Sequence, residues 1–260
     1  MSTVTLNIKG KVAYLRLNRA EKYNALTQDM WHAIADACDV LGQDQSIRVL
    51  VLGAQGDKAF CAGADIQELH SMLSNPDAFA ASNEIVQLTQ QKLAALPFAT
   101  IAQINGVCVG GGMGLAMCCD FRIAANNASF AITPSKLGLL YSLADTQRLA
   151  DIVGLPRAKE LLYLGKKIDA NTAASWALVT EVVEREALSA ATDALIAQIL
   201  SVSGYSISGT KRTLTHVSQA NAQASDNKAA LEQLFDDAFH GKDFKEGAAA
   251  FVEKRTARFL

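Results

Sequence analysis

The chain has 260 residues, half of them hydrophobic and 19% charged, with 24 basic against 26 acidic side chains and a net charge of -2. That balance suits a soluble protein with a large core, and it excludes a basic nucleic-acid surface or a polybasic membrane-binding tail. Cys38, Cys61, Cys108, Cys118 and Cys119 sit inside apolar patterns, with no CxxC and no His at metal spacing. They read as small core hydrophobes in a reducing cytoplasm, with no metal site and no disulfide framework.

Met1 to Gly10 lacks the continuous apolar core of a signal peptide. Val12 to Leu17 alternates in part and predicts a strand. Thr27 is placed to cap a helix whose Trp31, Ile34, Ala35, Cys38 and Leu41 follow i, i+3, i+4, i+7 spacing. Val49 to Leu52 is a continuous apolar run, as a strand covered on both faces requires. Helices are predicted over 66–73, before the Asn75-Pro76 break, and from about Ala78 to Leu96. A strand at 100–104 follows, then short strands at Phe121–Ala124 and Ser129–Ile132. After Thr133 the chain reads as mostly helical, with patterns over 145–153, 157–164, 171–177, 186–202 and 225–240. Leu93 to Cys119 carries no charge, but Pro97, Gln103, Asn105 and five glycines break it into strand, loop and helix rather than a membrane span. Asp236 to Lys245 is a charge-rich patch that reads as solvated surface.

The most informative segment is Asn105-Gly106-Val107-Cys108-Val109-Gly110-Gly111-Gly112-Met113-Gly114. Three consecutive glycines join an apolar strand to an apolar helix. Glycine allows positive φ and lets a ligand reach the backbone, and the first N–H groups of a helix have no partner within it. Such a junction can hold a developing negative charge, although a tight turn packed for steric reasons has the same sequence. Neither GxxxxGK[ST] nor GxGxxG is present, so a nucleotide phosphate loop is not indicated. A second segment, Lys58-Ala59-Phe60-Cys61-Ala62-Gly63-Ala64-Asp65-Ile66, follows an apolar strand with small side chains where a ligand would lie.

Together the AGADI and GGG segments resemble the crotonase, or enoyl-CoA hydratase/isomerase, family. Asn18 to Leu26, Thr146-Gln147-Arg148-Leu149 and the stretch from Glu246 to Arg255 also match, so the resemblance spans the chain. It implies an α/β fold: a crotonase-like spiral of ββα turns over 1–200, with a C-terminal helical trimerisation region over 201–260. It implies an acyl-CoA thioester as substrate, coenzyme A entering as part of that substrate and no separate cofactor, and a homotrimer or dimer of trimers. Leu231, Leu234, Phe235 and Phe239 offer an interface-like apolar stripe for that assembly. Carried over by position, the amides of Ala64 and Gly111 form an oxyanion hole for the thioester carbonyl. Ala25, Lys58, Ala62, Asp65 and Ile66 flank the coenzyme A, and Phe251 and Lys254 reach a neighbouring subunit's site.

The sequence departs from the family where the reaction is set. Hydratases carry one glutamate where this chain has Gly114 and a second where it has Pro134. Hydration needs one group to activate water and another to protonate carbon, and neither residue can act. The Thr133-Pro134, Leu137-Gly138 and Tyr141 pattern is similar to the methylmalonyl-CoA decarboxylase branch, whose chemistry needs an oxyanion hole but no strong base. That branch has His at the position of Ala64 and an acid at that of Gly114, and Ser142 stands where other branches carry Asp. Three readings stay open: a decarboxylase-like enolate reaction, a hydratase or isomerase with a relocated acid/base, and a thioester binder with little turnover.

Tyr141 either faces the acyl end of the pocket or is a core tyrosine with its hydroxyl satisfied by backbone. Asp145 either faces the pocket or caps the helix opening at Thr146. Of the isolated His32, His70, His216 and His240, only His70 follows the AGADI segment, with Glu68 on the same helix. Asp120 reads as the structural end of the glycine helix.

Overall fold

A computed structural model of the protein describes residues 2–72, 76–137 and 139–218, and residues 242, 246, 253, 255 and 258 beyond them. Strands β1 (Val4–Lys9) and β2 (Val12–Leu17) form an antiparallel hairpin, and helix α1 (Gln28–Gln43) follows. Thr27 caps α1 as expected, its side chain accepting from the Met30 amide. The chain then repeats a strand–strand–helix unit. The first unit is β3 (Val49–Ala54), β4 (Ala59–Cys61), α2 (Ile66–Met72) and α3 (Pro76–Ala94). The second is β5 (Ala99–Ile104), β6 (Val107–Val109) and α4 (Gly111–Cys118). The third is β7 (Phe121–Ala125), β8 (Ser129–Ala131) and α5 (Leu143–Leu164).

Each unit gives one strand to each of two sheets. The larger has the order β1-β2-β3-β5-β7-β10, the smaller β4-β6-β8-β9, where β9 is Ile168–Asp169 and β10 is Glu181–Val183. Pairing from β2 to β10 is parallel, as are β4–β6 and β6–β8. The result is the expected spiral of ββα turns. Helices α6 (Ala170–Ser175), α7 (Leu188–Leu200) and α8 (Gly204–Ser218) follow, to residue 218.

The continuous apolar strands are explained by two cores. On β3, Leu50 and Leu52 face the core shared with α1 and the smaller sheet, while Val49 and Val51 face Leu188, Ile196 and Ile199 of α7. All four β3 side chains are fully buried, and each such burial stabilises the fold by roughly 1.5–3 kcal/mol.

The described part of the chain after Thr133 is mostly helical as expected, with two short strands that the sequence did not show. β9 and β10 are strands of two and three residues, too short to show a period, and their partners β8 and β7 are distant in sequence. Gly154, at φ 74° and ψ 158°, divides α5 just before Pro156, so the two predicted helices 145–153 and 157–164 are the two limbs of one bent element. The predicted helix 225–240 and the Leu231–Phe239 stripe lie outside the described residues. Among the described residues, no single helix is long and apolar enough to cross a membrane.

Close packing of α4 on β4 gives a test. A Cβ at Gly112 would lie 2.6 Å from Cys61 Cβ and 2.7 Å from its carbonyl oxygen. Glycine to alanine inside a helix is normally favourable by about 1 kcal/mol, whereas overpacking costs about 1–3 kcal/mol. Gly112→Ala is therefore expected to lower Tm by several degrees in a thermal melt. A Tm at or above that of the unsubstituted protein would mean that α4 and β4 separate without cost.

Candidate active site

Three backbone segments meet at the site. Asn24, in the left-handed region at φ 54° and almost fully buried, fixes the first: its side chain accepts from Arg19 N and donates to Gln55 O and Ala59 O. The second, the AGADI loop, lies alongside it as a short parallel ribbon. Ala62 N donates to Tyr23 O, Leu26 N to Gly63 O and Asp65 N to Leu26 O, around a bridge between Leu26 and Ala64. In this parallel bridge Leu26 makes both cross-strand hydrogen bonds, through its N–H and its carbonyl, and Ala64 makes neither. Ala64 N–H therefore points away from Leu26, and it has no acceptor among the described residues.

The glycine turn is the third segment. Gly110, at φ 55° and ψ -115°, precedes the first residue of α4. A Cβ on Gly110 would stand 3.6 Å from Gly63 Cα, and one on Gly63, at φ 101°, would stand 3.3 Å from Val109 O. The two main chains lie within side-chain contact of each other, and the positive φ at both Gly63 and Gly110 favours glycine there. Gly111 N–H, at the first turn of α4, likewise has no acceptor among the described residues. Two unmatched amides on apposed loops can stabilise a developing oxyanion, at roughly 3–4 kcal/mol per well-placed donor.

The expected coenzyme A-flanking residues divide. Ala25, Ala62, Asp65 and Ile66 are gathered on the ribbon, with Ile66 71% exposed. The Asp65 carboxylate is engaged there: it accepts from Arg19 at 2.6 Å and from the Gln67 and Glu68 amides at the start of α2, which hold it below the usual carboxylate range. Lys58 lies exposed before β4, its carbonyl accepting from Val107 N. Phe251 and Lys254 lie outside the described residues. Glu68 accepts from Gln28 N at the start of α1, a structural role. Asp120 is structural as expected, accepting from Thr100 N, Thr100 Oγ1 and Lys211.

At Gly114, where the resemblance places the family's first glutamate, two polar side chains come close. A Cβ at Gly114 would lie 2.2 Å from Gln90 Nε2 and 3.3 Å from Asp145 Oδ1. Gln90 is buried on α3 with its amide end beside Asp145, and its Oε1 has no partner. Sequence reasoning missed Gln90. Its signal was a polar residue on the inward stripe of α3, between Val86 and Leu93.

The cap at α5 also differs from expectation. Ser142 is the N-cap, accepting from Asp145 N at 3.0 Å, and the helix opens at Leu143. Asp145 sits inside the first turn, only 4% exposed, accepting from Ser142 Oγ at 2.9 Å and Arg148 at 3.0 Å. It thus faces the space beside Gly114 and does not cap the helix. Burial pushes its carboxyl above the usual range, against the lowering effects of Ser142, Arg148 and Gln90.

Tyr141 is half-buried, and its hydroxyl donates to Gly110 O at 3.2 Å. The backbone-satisfied arrangement is the observed one, on the glycine turn itself. Pro134 lies in a 3-10 turn and carries no acid or base. Among the described residues no cluster of three His, Cys, Asp or Glu could hold a metal ion. All five cysteines are free and buried, and burial pushes the Cys38, Cys61 and Cys118 thiols to about 12. A mostly apolar cavity of about 820 Å³ lies at the far end of α4, against α5 and α8.

A two-sheet ββα spiral with unmatched amides on apposed loops of successive turns defines a crotonase-type protein. Residues 7–260 match the enoyl-CoA hydratase/isomerase family, and the chain belongs to that family. It is 35% identical over 260 residues to crotonyl-CoA hydratase of Syntrophomonas wolfei, covering 99% of this chain and 97% of that one. It is 31% identical to a short-chain-enoyl-CoA hydratase of Clostridium acetobutylicum, covering 98% and 96%. The crystal structure of enoyl-CoA hydratase from Bacillus anthracis superposes with a TM-score of 0.90 at 31% identity, covering 99% of each chain.

The raised Asp145 carboxyl has a measurable consequence. The folded state holds a proton at a pH where the unfolded chain, with a carboxyl pKa of about 3.9, has lost it. The contribution of this group to stability is therefore complete below that value and is lost as pH rises through the folded-state pKa. In urea unfolding, the stability of the unsubstituted protein relative to Asp145→Asn should fall as pH is raised through this window. A relative stability that rises with pH would contradict the buried, protonation-favouring environment.

Proposed function

We propose that this protein transforms an acyl-CoA thioester through an enolate-type oxyanion held by the amides of Ala64 and Gly111. The observation that carries this reading is the pair of acceptor-free N–H groups on loops brought together at Gly63 and Gly110. Coenzyme A would lie along the ribbon of Ala25, Ala62, Asp65 and Ile66, with Lys58 and the unplaced Phe251 and Lys254 as further contacts. No separate cofactor is required. The same reading carries a homotrimer or dimer of trimers in the cytoplasm. Light scattering that returned a stable monomer at micromolar concentration would overturn the trimer.

The reaction is best sought among those that need the oxyanion hole but no pair of glutamates, decarboxylation-like chemistry first. Gly114 and Pro134 supply no acid or base, and Gln90 occupies the room that a glutamate at 114 would need. A second reading has a specific support: Asp145 lies beside position 114 with a carboxyl raised by burial, a property suited to a general acid. In that reading Asp145 is a relocated acid/base for hydration or isomerisation, the activities named for the relatives.

A thioester panel separates the readings. Losing a positioned acid or base costs about 10²–10⁴-fold each, so crotonyl-CoA hydration should be slower than turnover of malonyl- or methylmalonyl-CoA by orders of magnitude. Brisk hydration abolished by Asp145→Asn would establish the relocated acid instead. No turnover of any thioester, with binding intact, would make the protein a binder.

The oxyanion hole has its own test. Gly111→Pro removes one donor, while proline at a helix's first position is compatible with helical geometry. Activity should fall about 10²–10³-fold, with coenzyme A binding retained as the control for folding. Retained activity would remove Gly111 from the hole.

A further inference from the structure

The Gly111 N–H and the Gly110 carbonyl belong to one peptide unit. No peptide bond among the described residues is cis, so the two groups point in opposite directions. While the N–H has no acceptor among the described residues, the carbonyl behind it accepts twice, from Gly114 N at 3.1 Å and from the Tyr141 hydroxyl at 3.2 Å. A donor on the carbonyl draws electron density through the amide and makes the N–H at the other end a stronger donor.

Gly114 N supplies the ordinary bond of the first helical turn. Tyr141 is different, because it reaches the turn from the segment between β8 and α5, thirty-one residues later in the chain. Its ring packs against the main core, and Thr146 Oγ1 touches its carbonyl at 3.5 Å. The glycine turn has no side-chain cap of its own, and Gly110 stands at φ 55° and ψ -115°. A peptide flanked by glycines is free to tilt unless something outside the turn restrains it.

We propose that Tyr141 is a positioning residue: through the Gly110 carbonyl, its hydroxyl sets the tilt and donor strength of the Gly111 N–H without touching substrate. This rests on the oxyanion-hole reading above. The phenol serves as a neutral donor, since burial holds it well above its ordinary pKa. A gain of about 10–30% in bond strength, on a donor worth about 10²–10³-fold, corresponds to about two- to eightfold in turnover.

The test uses butyryl-CoA labelled with carbon-13 at the thioester carbonyl, which cannot be hydrated or decarboxylated, with isotope-edited infrared spectroscopy of the bound state. In the unsubstituted protein the carbonyl band should lie below its frequency in buffer. In Tyr141→Phe it should move part of the way back, with Kd changed less than twofold and Tm preserved. Thr146→Val loosens the same segment but leaves the hydroxyl, and its band should stay at the unsubstituted position. Turnover of the best substrate should fall about two- to eightfold in Tyr141→Phe, in kcat rather than KM.

Identical bands in the unsubstituted protein and Tyr141→Phe would overturn the proposal and leave the oxyanion hole standing. An equal return in Thr146→Val would also overturn it, since loosening would then explain the effect. An unshifted band in the unsubstituted protein, or no saturable binding, would instead overturn the hole itself.

Discussion

The site depends on one close approach, that of the Gly63 and Gly110 main chains. A side chain on Gly110 would stand 3.6 Å from Gly63 Cα, and one on Gly112 would overlap Cys61. The two loops belong to successive turns of the spiral, the AGADI loop after β4 and the glycine turn after β6. Parallel pairing of β4 with β6, with a register shift between Ala59 and Cys61, brings them level. Small residues then let them close to backbone contact. The spacing of the two free amides is set by sheet pairing and van der Waals contact, and the Arg19–Asp65 ion pair ties the outer loop to the ribbon.

Around this main-chain frame the side chains form a separate layer. Ser142 and Arg148 hydrogen-bond Asp145, and Gln90 lies against it beside Gly114. They come from α3 and α5, outside the two loops that carry the amides. In the proposed reading, a change in this layer would alter the groups that face the acyl chain without moving the N–H donors. That division of labour suits a scaffold in which the charge-stabilising element is fixed while the proton-transfer groups vary. The unmatched Gln90 Oε1 leaves one buried acceptor in the variable layer.

Local signals were the legible ones. Thr27 announced α1, because a cap acts on amides two and three residues away. The apolar run of β3 announced a strand covered on both faces, and the gap between the helical patterns 145–153 and 157–164 fell at the bend in α5. The AGADI and GGG segments pointed to each other only through the family resemblance, since their contact joins residues nearly fifty positions apart. Strands of two or three residues, such as β6, β9 and β10, were beyond periodicity because their partners define them. The same limit hid Gln90 behind Gly114, Glu68 at the start of α1, and the destination of the Tyr141 hydroxyl. Each is a side chain whose neighbour is remote in sequence. Of the two alternatives for Asp145, the cap fails for a smaller reason: Ser142, three residues earlier, is the better oxygen for the free amides.

Cys61 stands where β4 meets α4, its Cβ where a methyl on Gly112 would intrude. Burial keeps its thiol protonated, and it has no exposed surface. An electrophile or oxidant cannot reach that sulfur while the two loops are in contact, and the thiolate needed for reaction does not form there. The thiol is thus a clock on the active-site frame. Its rate of alkylation in the native protein counts the separations of β4 from α4, the same motion that would pull the two amides apart.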